Sequence, residues 1–165
     1  MITSISRPAL IALCVEYGSK LQELPVGIIG KQLLWALAGN ESSFGADTIP
    51  RHEPAFDKGG YYADKPPMPD LLLRYGSPAA CSYGPWQILY ANCWMLTNPL
   101  AMMDSPEICA QCTVDQLNKF MRYSHPVSLI EIGMLWNAGH IMMAMTAGVA
   151  RYTQELQKNY MEPMK

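Results

Sequence analysis

Prolines and glycines are so dense in residues 46–78 that no long helix or strand can pass through this segment. They are Pro50, Pro54, Gly59, Gly60, Pro66, Pro67, Pro69, Gly76 and Pro78. Proline removes a backbone hydrogen-bond donor and glycine loosens the backbone, so both interrupt a regular element. Only residues 70–75 have the pattern of a short helical turn. A long irregular segment is uncommon in a compact domain and is typical of a functional loop.

The composition predicts one folded domain over residues 1–165. Half of the residues are hydrophobic and 16% are charged, which is typical of a globular protein rather than a disordered one. The formal net charge is −2 and the basic residues are scattered, so we expect no nucleic-acid partner. No run of about 18 apolar residues occurs, so we expect no membrane span. The expected oligomeric state is a monomer.

The first twenty residues predict a helix rather than an export signal. A brief apolar run follows Arg7, but Glu16 interrupts it, and no cleavage site of small residues comes after it. The place where the protein acts is therefore left open. It acts inside a cell, it is delivered by another route, or the chain is already in its mature form.

Apolar residues recur every three to four positions over six stretches, and this spacing predicts helices. The predicted helices cover residues 7–20, 26–40, 85–96, 104–123, 128–136 and 140–160. No stretch alternates apolar and polar residues as a half-buried strand does, so the expected fold class is all-α. Three methionines of the last predicted helix, Met142, Met143 and Met145, are expected to fill the core.

The chain has five cysteines, an odd number that does not suit a closed disulfide framework. Cys109 and Cys112 have the two-residue spacing of zinc and redox motifs. No second pair of this kind occurs, and the nearest histidine is His125. Two cysteines three positions apart also share one helix face, so we expect both to be buried apolar side chains. A zinc or redox site on this pair is the alternative.

Glu41 stands at the end of the predicted helix 26–40, where the negative end of the helix dipole disfavours an anion. That position predicts a raised pKa. Cleavage of a glycosidic bond needs a carboxylic acid that is still protonated at the working pH, because the leaving oxygen must receive a proton. In the alternative interpretation, Glu41 caps the next turn or pairs with a surface lysine.

Three segments in order resemble motifs of the lysozyme-like superfamily, specifically of soluble lytic transglycosylases and goose-type lysozymes. They are the pair Glu41-Ser42, residues 82–88 (Ser-Tyr-Gly-Pro-Trp-Gln-Ile) and residues 136–139 (Trp-Asn-Ala-Gly). The resemblance covers about residues 26–151. It implies an all-α lysozyme-like domain with a long irregular active-site loop and with Glu41 as the catalytic acid. It also implies a peptidoglycan glycan strand as the substrate, and no metal or organic cofactor.

The departures from the family pattern favour one mechanism. Pro85-Trp86 stands where the family has Leu-Met, and Trp136 stands where it has Tyr. Goose-type lysozymes carry an Asp soon after the Gln segment that can position a water, but residues 89–92 hold no carboxylate here. This difference favours a lytic transglycosylase. In that mechanism Glu41 first protonates the leaving group and then, as a base, removes a proton from the sugar's own primary hydroxyl, so an anhydro ring forms.

Candidate substrate-binding residues come from the motifs and from nearby aromatic side chains. Gln87 and Asn137 each offer a donor and an acceptor to sugar amide and hydroxyl groups. Flat faces for sugar rings are offered by Trp136 and by tyrosines, although each of these is also explained by ordinary packing. The complete candidate set is Ser42, Tyr62, Ser82, Gln87, Tyr90, Trp136 and Asn137.

A second catalytic carboxylate is the open alternative, with Glu53 or Asp47 in the irregular loop as candidates. If Glu53 faces Glu41 with room for a water, at roughly 6.5–9.5 Å between carboxyl groups, an inverting muramidase follows. In the competing interpretation, Glu53 forms an ion pair with Arg51 or Lys58 and fixes the loop. A further alternative of another class is a module that binds glycan, or builds a phage or secretion assembly, without cleaving.

Overall fold

The structure is a computed structural model that describes all residues from 1 to 165. It is mostly helical, with one small sheet. The helices are α1 (Arg7–Gly18), α2 (Gly30–Ser42), α3 (Met68–Tyr75), α4 (Pro99–Asp104), α5 (Pro106–Ser124), α6 (Leu129–Ala138) and α7 (Ala147–Met161). The strands are β1 (Arg51–His52), β2 (Cys81–Tyr83) and β3 (Ile88–Leu89). No helix combines the length and the apolar character needed to cross a membrane.

Helix α2 is the centre of the molecule, because its six consecutive apolar residues, 33–38, are fully buried. Helices α1 and α7 pack against it, and α6 packs against α7. The core is one contiguous cluster of 28 buried residues. Its packing fixes the position of the last turn of α2, which carries Glu41.

The helix starts follow from local capping chemistry. Ser105 accepts a hydrogen bond from the backbone of Ile108 at the start of α5, and Pro106 occupies the first turn. Ser128 caps α6 in the same way. The predicted helices 104–123 and 128–136 are therefore confirmed to within a few residues.

The predicted helix over residues 85–96 is wrong. Residues 84–87 form a tight turn that joins β2 to β3, and a 3₁₀ turn, Tyr90–Asn92, follows. The turn needs left-handed backbone at Gly84 (φ +71°) and at Gln87 (φ +45°). Two apolar residues, Ile88 and Leu89, cannot by themselves distinguish a short strand from a helical turn. The sheet has the order β1-β2-β3 and is antiparallel throughout.

Two other expectations need correction. Segment 46–78 is less irregular than predicted, since it holds β1 and α3, and α3 extends the predicted turn at 70–75 to Met68.

The last helix begins at Ala147 rather than near residue 140, because left-handed Gly139 ends α6 and Thr146 caps the new start. Met143 and Met145 are consequently exposed and do not fill the core.

The prediction for the cysteine pair is confirmed, since Cys109 and Cys112 on α5 are both buried. All five cysteines are free thiols. Burial raises the pKa of the Cys109 thiol to about 12, which keeps that sulfur protonated near neutral pH. In this state it behaves as a small apolar side chain.

Candidate active site

Glu41 lies in the last turn of α2 with only 9% of its side chain exposed. The helix stops two residues later, where Ser43 adopts left-handed backbone (φ 51°). Oε1 of Glu41 accepts a hydrogen bond of 2.6 Å from the hydroxyl of Tyr152 on α7. The same oxygen accepts a second hydrogen bond of 3.2 Å from the indole N–H of Trp136 on α6. Three helices thus converge on one carboxyl group.

Burial raises the pKa of Glu41, in the direction that the sequence predicts. Hydrogen bonds from Tyr152, Arg51 and Trp136 and the charge of Arg51 act in the opposite direction, but burial outweighs them. Since Oε1 already accepts two hydrogen bonds, Oε2 is the oxygen left to carry the proton. Burial in this site therefore favours the protonated form of the Glu41 carboxyl group, with Oε1 held by Tyr152 and Trp136 and Oε2 facing Arg51.

Arg51 joins two carboxylates. Its Nη2 lies 3.5 Å from Oε2 of Glu41, and its Nε lies 2.9 Å from Oε1 of Glu53. The predicted ion pair between Glu53 and Arg51 is thus confirmed. The hydroxyl of Ser82 lies 3.0 Å from the same Glu53 oxygen. Arg51 is on β1 and Ser82 is its partner on β2, so the sheet register sets this arrangement.

Gln87 and Ser82 lie at the cleft, but their polar groups are occupied within the protein. Nε2 of Gln87 donates to the carbonyl oxygens of Ile49 and Gly84, both at 3.2 Å. Its Oε1 lies 2.9 Å from the hydroxyl of Ser82. The expectation that the Gln87 amide is free to hold a sugar is therefore corrected, because that amide holds the β2–β3 turn against the segment before β1.

Ser42 and Tyr90 lie away from the cleft, which corrects two further candidates. The Ser42 hydroxyl donates to the carbonyl of Ala38 and accepts from the backbone of Gly45, so it closes the end of α2. Tyr90 is buried in the core, with its ring edge against Tyr75. Neither side chain is accessible to a sugar.

The remaining candidates line one cleft of about 670 Å³. The residues from the three motif segments that meet there are Glu41, Ser82, Gln87, Trp136 and Asn137. Tyr62 also lines it and stacks on Phe56 at 4.7 Å between ring centroids, so the irregular loop contributes an aromatic rim. Asp47 does not line the cleft, and its carboxylate accepts from the backbone of Ile49.

Tyr152 and the bridging contacts of Arg51 are parts of the site that the sequence did not predict. Tyr152 lies 111 positions from Glu41, and no local pattern marks it. Asn40, next to Glu41, donates to the backbone carbonyl of Tyr152 and accepts from Asn159. This pair of bonds fixes the end of α2 against α7. The only feature of the sequence that could have indicated this contact with α7 is Asn40 itself, which precedes the Glu41-Ser42 pair.

The chemistry available to the site is proton transfer by a buried acid beside a polar, aromatic-rimmed cleft. No group of three or more His, Cys, Asp and Glu side chains is placed to hold a metal ion. Comparison of the chain with protein-family models, with curated proteins and with solved structures gave no match.

Proposed function

We propose that the protein cleaves the MurNAc–GlcNAc glycosidic bond of peptidoglycan as a lytic transglycosylase with a lysozyme-like fold. The observation that supports this most is the buried Glu41 carboxyl, whose pKa is raised at the wall of a 670 Å³ cleft. A general acid for glycoside cleavage needs this combination of burial and access to the scissile oxygen.

In the proposed reaction, Glu41 acts twice. Its proton passes from Oε2 to the glycosidic oxygen as the bond from that oxygen to the MurNAc anomeric carbon breaks. The carboxylate left behind is stabilised by the donors on Oε1, Tyr152 and Trp136. It then takes the proton from the primary hydroxyl of MurNAc while that oxygen bonds to the anomeric carbon. An anhydro ring forms, no water is consumed, and Glu41 is protonated again.

The placement of Arg51 favours this mechanism over hydrolysis. An inverting muramidase needs a second carboxylate that activates a water in the space between the two acids. Here one guanidinium group contacts both Glu41 and Glu53, so it occupies that space. Glu53 still lines the same cleft, and a muramidase with Glu53 as base is therefore the second candidate.

Digestion of purified cell wall followed by mass spectrometry of the products tests the proposal. Transglycosylation gives anhydro ends, whereas hydrolysis gives reducing ends. Glu41→Gln should abolish turnover, because it keeps the shape and loses the transferable proton. Glu16→Gln, at an exposed position on α1, is the matched control and should cut as the wild type does. Wall binding without any cleavage would instead assign a non-catalytic glycan-binding or assembly module.

A further inference from the structure

The cleft that holds Glu41 continues into two neighbouring cavities. One, of about 680 Å³, shares Asn92 and Gln116 with the cleft and is named the α5 arm here. The other, of about 520 Å³, shares Asn40, Asn137 and Tyr152 with the cleft and is named the α7 arm. Because the shared residues belong to different elements, the arms leave the cleft at different places.

Both arms are lined in part by solvent-exposed side chains. The α5 arm is lined by Lys119 and Arg122, both exposed on α5, and by Met95, which is 80% exposed. The α7 arm is lined by Arg151 and Glu155, both exposed on α7. Each arm therefore opens to solvent beyond the cleft.

Glu41 lines the cleft with which both arms share residues. Asn40 precedes it in the chain and Tyr152 hydrogen-bonds its carboxyl group, and both residues line the boundary with the α7 arm. Asn92 and Gln116 line the boundary with the α5 arm, and neither of them lines the α7 arm. A polymer with its scissile bond at Glu41 thus has an open route into each of the two arms.

We propose that the groove binds the interior of a glycan strand and that cleavage is endo-acting; this inference rests on the proposed function. An enzyme that works from a chain end needs a barrier on one side of its acid to stop the terminus, and the two open arms provide none. In the α5 arm the half-exposed ring of Trp94 offers a flat apolar face on which a sugar ring can stack.

The length distribution of early products tests this inference directly. Long glycan strands freed of peptide are digested and sampled before a tenth of the bonds are cut. Internal cleavage predicts that the mean strand length falls at once while the disaccharide product is scarce. Release of disaccharide from the first sample, with the remaining strands at their original length, would overturn the inference. Absence of any cleavage would instead overturn the proposed function.

Filling the α7 arm gives a second test. A Cβ built on Gly148 has nothing closer than Oγ1 of Thr146 at 4.0 Å, so a larger side chain fits the backbone and projects into open space. Gly148→Trp should slow the cleavage of long strands several-fold. Leu73→Trp adds the same bulk to an exposed site on α3 that lines none of the three cavities, and it should not slow cleavage. Equal rates for the two variants would show that no chain occupies the α7 arm.

The α5 arm is tested by removing its flat face. Trp94→Ala should raise KM several-fold for long strands while kcat changes little, because only binding remote from the acid is lost. Leu100→Ala removes an exposed apolar side chain that does not line the arm and serves as its control. An unchanged KM in Trp94→Ala, with a folded protein confirmed by its melting curve, contradicts a chain in this arm.

Discussion

The hydroxyl of Tyr152 donates a 2.6 Å hydrogen bond to Oε1 of Glu41 and so joins α7 to the last turn of α2. Burial raises the pKa of Tyr152 well above its ordinary value, so the phenol keeps its proton and remains a donor near neutral pH. This bond favours the ionised form of Glu41, while burial favours the protonated form and dominates. Tyr152 therefore limits how far the pKa of the acid rises.

Tyr152→Phe should move the pH dependence of activity. Loss of this hydrogen bond destabilises the carboxylate, so the pKa of Glu41 rises further. An acid that must be protonated loses activity as the pH rises through its pKa, so the falling limb of kcat/KM against pH should shift to higher pH. Tyr123→Phe, at an exposed position, is the control and should leave the profile in place. A shift of the limb to lower pH would contradict this account of the pair.

Glu41→Gln should change stability in a pH-dependent way. A carboxyl group whose pKa is raised on folding binds its proton more tightly in the folded state. Its favourable contribution is therefore complete below the unfolded pKa, about 4.3, and is lost as the pH rises through the raised folded value. The glutamine variant, whose Oε1 still accepts from Tyr152 and Trp136, should match or exceed the wild type at neutral pH, within ~1 kcal/mol.

Urea denaturation of both proteins in acid and at neutral pH measures this difference. As the pH falls, the free energy of unfolding of the wild type should rise relative to that of the variant. A variant that is less stable than the wild type at neutral pH, and no less stable in acid, would mean that the Glu41 carboxylate is stabilising in the folded protein.

Glu53→Gln separates the two candidate mechanisms. In a transglycosylase Glu53 only holds Arg51, so the variant should keep most of its turnover and still produce anhydro ends. In a muramidase Glu53 is the base, and its loss should lower kcat by at least roughly 100-fold. Product analysis together with kcat decides between the two. Glu107→Gln, on the first turn of α5 and outside the cleft, is the matched control.

Gly84→Ala should destabilise the fold by roughly 1–3 kcal/mol. Gly84 has left-handed backbone at φ +71°, and a Cβ there would lie 2.6 Å from Sγ of Cys109 on α5. The turn that orients Gln87 would have to shift away from the helix. Denaturation measures the loss, with Gly148→Ala as the control because its Cβ meets no close neighbour. Equal stability of the two alanine variants would show that the turn relaxes freely.

The starts of α5 and α6 could be predicted closely from the sequence, whereas the start of α7, which Thr146 also caps, could not. Ser105 and Ser128 each accept a hydrogen bond from a backbone amide three residues ahead, and α5 and α6 begin close to the predicted residues 104 and 128. The β2–β3 hairpin could not be predicted. Its strands are too short to show an alternation of apolar and polar residues. Gln87, which has left-handed backbone, is also not a residue type that indicates a turn.

The candidate acid was identified from the sequence, since both its place at the end of an apolar helix and the three motif segments are visible in the chain itself. Its environment was decided by the tertiary structure. The two donors on Oε1 lie 95 and 111 positions away from Glu41, and only the packing of α6 and α7 brings them to it. The tertiary structure also decided the role of Gln87. Its residue type suits a sugar ligand, but in the folded turn its amide forms hydrogen bonds with Ile49, Gly84 and Ser82. Local sequence sets which polar groups are available, whereas long-range packing sets which of them remain free, because most buried polar groups form hydrogen bonds within the protein.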